Sequence, residues 1–203
     1  MKIIFNIYRI LNDYKLYIFV IIFFEIYFYL KNYKGFKINF SSNTKMADNI
    51  PCPFFFLFKI KKKLETYKFS SFIDLGCGSG RIIYFFNKSF KIKKIFGIEY
   101  FETQYFYCKN IFKQDKNIKI KKTDFSKFTF SKNSFDIYFL SAPFKKSNDF
   151  ISFMNKLIKI KGNKKKIIVV INYDIQVIKR VKKLKFIETF YLSKEKGYSI
   201  CSI

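Results

Sequence analysis

Apolar and polar positions change rhythm several times along this chain, and each change predicts an element. From Leu16 to Leu30 every residue but Glu25 is apolar or aromatic, which predicts a helix with no polar face. Positions 31–48 are polar and carry Gly35, Ser41, Ser42 and Asn43, the composition of a linker. Pro51 and Pro53 then fix an extended stretch, and an apolar helix follows over Phe55–Tyr67. The chain thus divides into an N-terminal hydrophobic helix within 1–34, a linker over 35–49 and a domain over 50–203.

From Phe69 onward, strand and helix signals alternate. Ser71–Leu75, Lys94–Ile98, Asn117–Lys121, Phe135–Leu140 and Lys166–Ile171 predict strands. Ser79–Asn87, Phe101–Phe112, Asn148–Ile160 and Ile175–Lys183 predict helices between and after them. Lys185–Phe190 and Tyr198–Ile203 predict a last pair of strands. Repeated strand–helix units imply an α/β fold, a largely parallel sheet with helices on both faces. The run Ile167-Ile168-Val169-Val170-Ile171 suits a sheet covered on both sides.

Composition narrows the chemistry. Half of the 203 residues are hydrophobic, enough for one full core. The formal charge is +26, which favours acidic partners such as nucleic acid or an anionic membrane. The lysines are scattered, however, and Ile, Phe, Asn and Tyr abound with them while Trp and His are absent. That bias reads as an A+T-rich coding sequence placing Lys wherever a polar surface residue is tolerated. With no histidine, Ser-His-Asp and Cys-His machinery and His-containing zinc sites are excluded. Cys52, Cys77, Cys108 and Cys201 are far apart in sequence and form no C-x-x-C pair, so no metal is expected, and a reducing compartment suits them.

The candidate chemistry lies at strand ends. Phe72-Ile73-Asp74-Leu75-Gly76-Cys77-Gly78-Ser79-Gly80-Arg81 is a strand, a carboxylate, three glycines at alternate positions and a helix start. Glycines permit left-handed backbone and close approach of a ligand, and a helix N-terminus adds unpaired N–H groups. A nicotinamide fingerprint would need glycine where Arg81 stands. The second strand ends at Glu99, nineteen residues after Gly80, where an acid can accept from both ribose hydroxyls of an adenosine cofactor. Thr123-Asp124-Phe125 follows the third strand, and Ser141-Ala142-Pro143-Phe144 closes the fourth. Each acid also has a plainer role: Asp74 or Glu99 as a helix cap, Asp124 as a turn residue.

Four features in register resemble class I S-adenosylmethionine (SAM) dependent methyltransferases, whose sheet is Rossmann-like and seven-stranded. The resemblance covers about Ile50 to Ile203. It rests on Pro51-Cys52-Pro53, the D-x-G-x-G-x-G-R loop at Asp74–Arg81, Gly97-Ile98-Glu99, and Phe139-Leu140-Ser141-Ala142-Pro143-Phe144. It implies SAM as cofactor, bound by Asp74, Gly76, Cys77, Gly78, Gly80, Glu99, Tyr100, Asp124 and Phe125. Asp74 would serve its amino-acid end, Glu99 the ribose and Asp124 the adenine. Ser141, Pro143 and Phe144 would line the acceptor channel. The related enzymes carry N-P-F after the fourth strand, where the Asn accepts from a target nitrogen. Here Ser141 or Ala142 takes that place, so the acceptor, expected to be a nitrogen such as a protein lysine, is otherwise unspecified. A protein or small molecule is expected as acceptor before nucleic acid. The alternative is an impaired methyltransferase-fold module that binds anionic membrane or nucleic acid.

The apolar segment raises a separate question. Fifteen residues at 1.5 Å each fall short of the roughly 30 Å hydrocarbon core. Tyr14, Tyr27, Tyr29 and Tyr33 suit membrane interfaces, and Lys15, Lys31 and Lys34 can snorkel. Glu25 would cost about 2.5–3.5 kcal/mol at the bilayer centre, but it lies nearer the C-terminal end. The expectation is a membrane anchor over residues 14–30 with the catalytic domain in the cytoplasm. The alternatives are a helix packed on the domain or lying in the interface, and a cytoplasmic protein.

Overall fold

A computed structural model describes residues 17–31, 51–130, 135–142, 144–160 and 165–203. The predicted linker, residues 14–16 and Pro143 lie outside the described residues. Helix α1 is Tyr17–Leu30 and α2 is Phe54–Leu64. Strand β1 (Ser71–Leu75), α3 (Arg81–Ser89), β2 (Lys94–Glu99), α4 (Glu102–Ile111) and β3 (Ile118–Lys122) follow. Then come β4 (Ile137–Ser141), α5 (Ser147–Ile158), β5 (Ile167–Ile171), α6 (Ile175–Lys179), β6 (Lys185–Tyr191) and β7 (Gly197–Ser202).

The seven strands form one sheet in the order β3-β2-β1-β4-β5-β7-β6. β1 to β5 run parallel, and β7 lies antiparallel between β5 and β6. Strand order reverses at β1, where the chain crosses from the β2 side to the β4 side. Ligands of such sheets bind beyond the carboxyl ends at this switch. Side chains alternate across the sheet, so each strand feeds two cores. Phe72, Phe139, Val169 and Ile200 pack under α1 to α4. Ile73, Tyr138, Leu140 and Val170 pack under α5 and α6. Both faces are covered, which explains the unbroken apolar runs of β4 and β5.

The membrane-spanning expectation is overturned. α1 has 14 residues, and no helix among the described residues is long and apolar enough to cross a membrane. Instead α1 lies on the domain: Ile21 and Phe28 are buried, and Phe28 sits 4.5 Å from Phe54 and 5.6 Å from Phe85, centroid to centroid. Glu25, the awkward residue for a bilayer, is what fastens the helix. Its Oε1 accepts from the Phe54 N–H (2.9 Å), and its carboxylate holds the Arg81 guanidinium at 2.9 and 3.1 Å.

Candidate active site

The loop after β1 is folded by backbone bonds. Gly76 and Cys77 both donate to the Ile98 carbonyl (2.9 Å each), tying the loop to β2, and Gly80 donates to Cys77 (2.8 Å). Gly76, Gly78 and Gly80 have φ of 84°, 53° and 85°. A Cβ on Gly80 would stand 2.7 Å from the Phe112 ring and 2.8 Å from the Cys108 sulfur, so neither space nor backbone admits another residue.

Two carboxylates converge on this loop. Glu99 ends β2 and is 5% exposed. Its Oε2 accepts from Gly78 N–H (2.7 Å) and its Oε1 from Phe101 N–H (2.8 Å), so it locks the loop and caps the approach to α4. Burial raises its pKa, and the N–H donors at Phe101, Gly78 and Tyr100 oppose the rise. With three N–H donors on its four lone-pair sites, the carboxylate keeps one site for a hydroxyl donor. Asp74 is different. It is fully buried, and neither carboxylate oxygen has a hydrogen-bond partner. It caps nothing. Burial, and secondarily the nearby Glu99, push its pKa from 3.8 up to about 8.

Around these acids the fold brings loop residues against partners that lie far away in the sequence. Cys77 and Cys108 stand 3.9 Å apart, sulfur to sulfur, both as free thiols. Arg81 is 7% exposed, donates to the Cys52 carbonyl (3.1 Å), lies 4.6 Å over the Phe54 ring and pairs with Glu25. Burial draws its pKa down, and Glu25 opposes that. Arg81 therefore ties the loop's helix, the start of α2 and α1 to one another.

The remaining predicted residues divide. Phe125 is buried beside Gly76, whose Cβ would meet its ring at 3.8 Å. It meets Phe144 edge-on at 5.2 Å and Phe153 at 5.3 Å, which joins the cofactor side to the acceptor side. The Asp124 Oδ1 accepts from the Ser126 N–H (2.8 Å) and hydroxyl (2.7 Å), so it caps the 3-10 turn Phe125–Lys127. Tyr100 is 49% exposed with its ring against Phe101. The Ser141 hydroxyl oxygen is buried without a partner.

These residues fit SAM. A buried carboxyl lacking any donor suits its ammonium, glycines without Cβ admit its chain, and Glu99 and Phe125 suit a ribose and a ring. The sheet order, with the glycine loop and its two carboxylates gathered at the switch point, is that of the Rossmann-like methyltransferase class. The family described as "Methyltransferase domain" matches residues 68–198, and the chain belongs to it. No curated protein sequence matches the chain. Among solved structures, a SAM-dependent methyltransferase from Aquifex aeolicus superposes with TM-score 0.57 at 14% identity, covering 72% of this chain and 89% of the other. The N-methyltransferase NodS from Bradyrhizobium japonicum, in complex with S-adenosylhomocysteine (SAH), gives 0.56 at 14% identity over 72% and 82%. A SAM-dependent methyltransferase of Leishmania major gives 0.57 at 12% identity over 72% and 70%. These likenesses establish the fold.

Proposed function

We propose that the chain transfers the methyl group of SAM to a nitrogen nucleophile. The observation that carries the cofactor half is Asp74, whose buried carboxyl is left without a donor at the glycine loop. Asp74 takes the ammonium of the amino-acid end, Glu99 a ribose hydroxyl, and Phe125 covers one side of the ring. When bound, the sulfonium supplies a methyl group already activated for attack. The protein's share is then alignment and exclusion of water, worth about 7–11 kcal/mol without a general base. Ser141 ends β4 with its hydroxyl oxygen unpaired, and Phe144, Phe125 and Phe153 form an apolar wall nearby. Such a wall disfavours an ammonium and favours the neutral, nucleophilic amine. Calorimetry with SAH tests the reading: wild type binds, Glu99→Ala binds about 10- to 100-fold more weakly, and Gly78→Arg does not bind. Absence of wild-type binding would sink it.

We further infer that α1 rests in the plane of an anionic bilayer surface. Its outer face leaves Phe19 70%, Phe23 65% and Leu30 72% exposed. Lysines border that face, with Lys59 over Phe190 at 4.3 Å, Lys62 over Phe58 at 5.0 Å and Lys31 over Tyr27 at 5.9 Å. An apolar stripe rimmed by cations complements headgroups of opposite charge. Flotation should recover the protein with vesicles containing phosphatidylglycerol and not with phosphatidylcholine alone, and Phe19→Ser/Phe23→Ser should abolish it. A stable dimer that ignores both vesicles would assign the face to a second copy instead.

A further inference from the structure

Two of the four free thiols meet at the cofactor loop. The Cys77 and Cys108 sulfurs are 3.9 Å apart, and a disulfide would bring them to about 2.05 Å. Cys77 lies in the loop between β1 and α3, and Cys108 on the buried face of α4. Glycines leave the room that the pair occupies. A Cβ on Gly80 would stand 2.8 Å from the Cys108 sulfur, and one on Gly97 2.9 Å from the Cys77 sulfur. The other two thiols are placed elsewhere. Cys52 donates to the Pro53 carbonyl (3.6 Å), and Cys201 packs in the core on the other face of the sheet.

The two thiols are unequally placed. Cys108 is fully buried, whereas Cys77 keeps a small opening, 6% exposed. Its hydrogen bond with Cys108 and its burial raise the Cys77 thiol above the ordinary pKa, so the resting pair is protonated at neutral pH. The backbones differ as well. Cys77 stands between Gly76 and Gly78, with φ of 84° and 53°, while Cys108 lies within the ten-residue helix α4. As the sulfurs close, the loop yields before the helix. Cys77 N–H is tied to the Ile98 carbonyl, and the neighbouring Gly78 N–H to the Glu99 Oε2 at 2.7 Å. A shift of Cys77 towards α4 therefore pulls on the bond that sets Glu99.

Resting on the methyl-transfer reading above, we propose that Cys77 and Cys108 form a peroxide-driven disulfide switch that lowers the affinity for the cofactor. The oxidant is hydrogen peroxide, small enough for the opening at Cys77. The Cys77 sulfur attacks one peroxide oxygen, the O–O bond breaks, and Cys77 becomes a sulfenic acid as one water leaves. The Cys108 sulfur then attacks the Cys77 sulfur. The S–S bond forms, the S–O bond breaks, and the hydroxyl leaves with the Cys108 proton as a second water. The thiols lose two electrons and the peroxide gains them; an added dithiol reverses the change. The coupling is reciprocal. A bridge that weakens cofactor binding tenfold is itself disfavoured tenfold by the cofactor, about 30 mV for this two-electron couple.

The test treats the full chain with hydrogen peroxide, removes the excess and titrates with SAH. Peptide mapping should join Cys77 to Cys108, in a protein two hydrogens lighter. Calorimetry should then show binding about 10- to 100-fold weaker than before, and dithiothreitol should restore it. In a series of glutathione buffers, saturating SAH should raise the midpoint potential of the pair by about 30 mV for each tenfold of that loss. Cys108→Ala cannot bridge, and its SAH affinity should stay close to that of reduced wild type at both the reducing and oxidising ends of the series. A bridge to Cys52 or Cys201, added oxygen without a bridge, or an affinity that the bridge leaves unchanged overturns the switch while leaving methyl transfer standing. So does a midpoint that SAH leaves unmoved, or a Cys108→Ala protein that loses affinity in the same oxidising buffers. A reduced wild type that binds no SAH overturns the reading on which the switch rests.

Discussion

Asp74 gives up all contact with water and gains no hydrogen bond in return, an arrangement that a folded chain keeps only under a functional demand. Its pKa of about 8 against an ordinary 3.8 means that the folded protein holds a proton which the unfolded chain releases. The sign follows from linkage. Its folded pKa is raised, so its contribution is most favourable below about 4 and is lost as pH rises through about 8. Asp74→Asn should therefore raise the melting temperature of the ligand-free protein, little at pH 4–5 and most at pH 8–9. The same substitution should weaken SAH binding about 10- to 100-fold, since an amide cannot pair with an ammonium. In wild type, SAH affinity should climb with pH up to about 8 as the carboxyl loses its proton, and in the variant that slope should vanish. Calorimetry and thermal melts at several pH values check both. Asp74 and Glu99 stand out in the sequence because each lies at the end, or one residue before the end, of a strand that the apolar pattern marks. The contact of Cys77 with Cys108 does not, because it joins positions thirty-one residues apart in the chain.

Among the elements, α1 shows why a local reading goes astray. An apolar run with one carboxylate carries no sign of what that carboxylate meets, and Arg81 lies fifty-six residues away. The strands were easier. β1 matches its predicted limits, and β2 to β5 differ from theirs by a residue or two, because period and flanking turns are local. The insertion of β7 between β5 and β6 is a pairing choice that no window of sequence displays. The same distance dependence gives a prediction. Glu25→Ala removes a carboxylate that the buried Arg81 guanidinium holds at 2.9 Å, and should cost about 2–4 kcal/mol in urea unfolding. Removing both charges with Glu25→Ala/Arg81→Leu should cost less than the single change. A single substitution that proves silent would show that α1 is held by its rings alone.

For the whole molecule the dominant quantity is the charge of +26, and it acts in two opposite directions. Forty cations against fourteen anions repel one another in the compact state, which self-repulsion destabilises. On the bilayer reading proposed above, the same cations around α1 would attract an anionic surface. Salt screens both effects, since the Debye length falls from about 14 Å near 0.05 M to about 4 Å near 0.5 M. Raising salt over that range should therefore increase the melting temperature while it releases the protein from phosphatidylglycerol vesicles. The apolar face of α1 sets the limit of that release. If Phe19 and Phe23 enter the headgroup region, a residual fraction should stay bound at high salt, and Phe19→Ser/Phe23→Ser should remove that fraction first. Binding that disappears wholly with salt, and equally in both proteins, would mean that the lysines act alone.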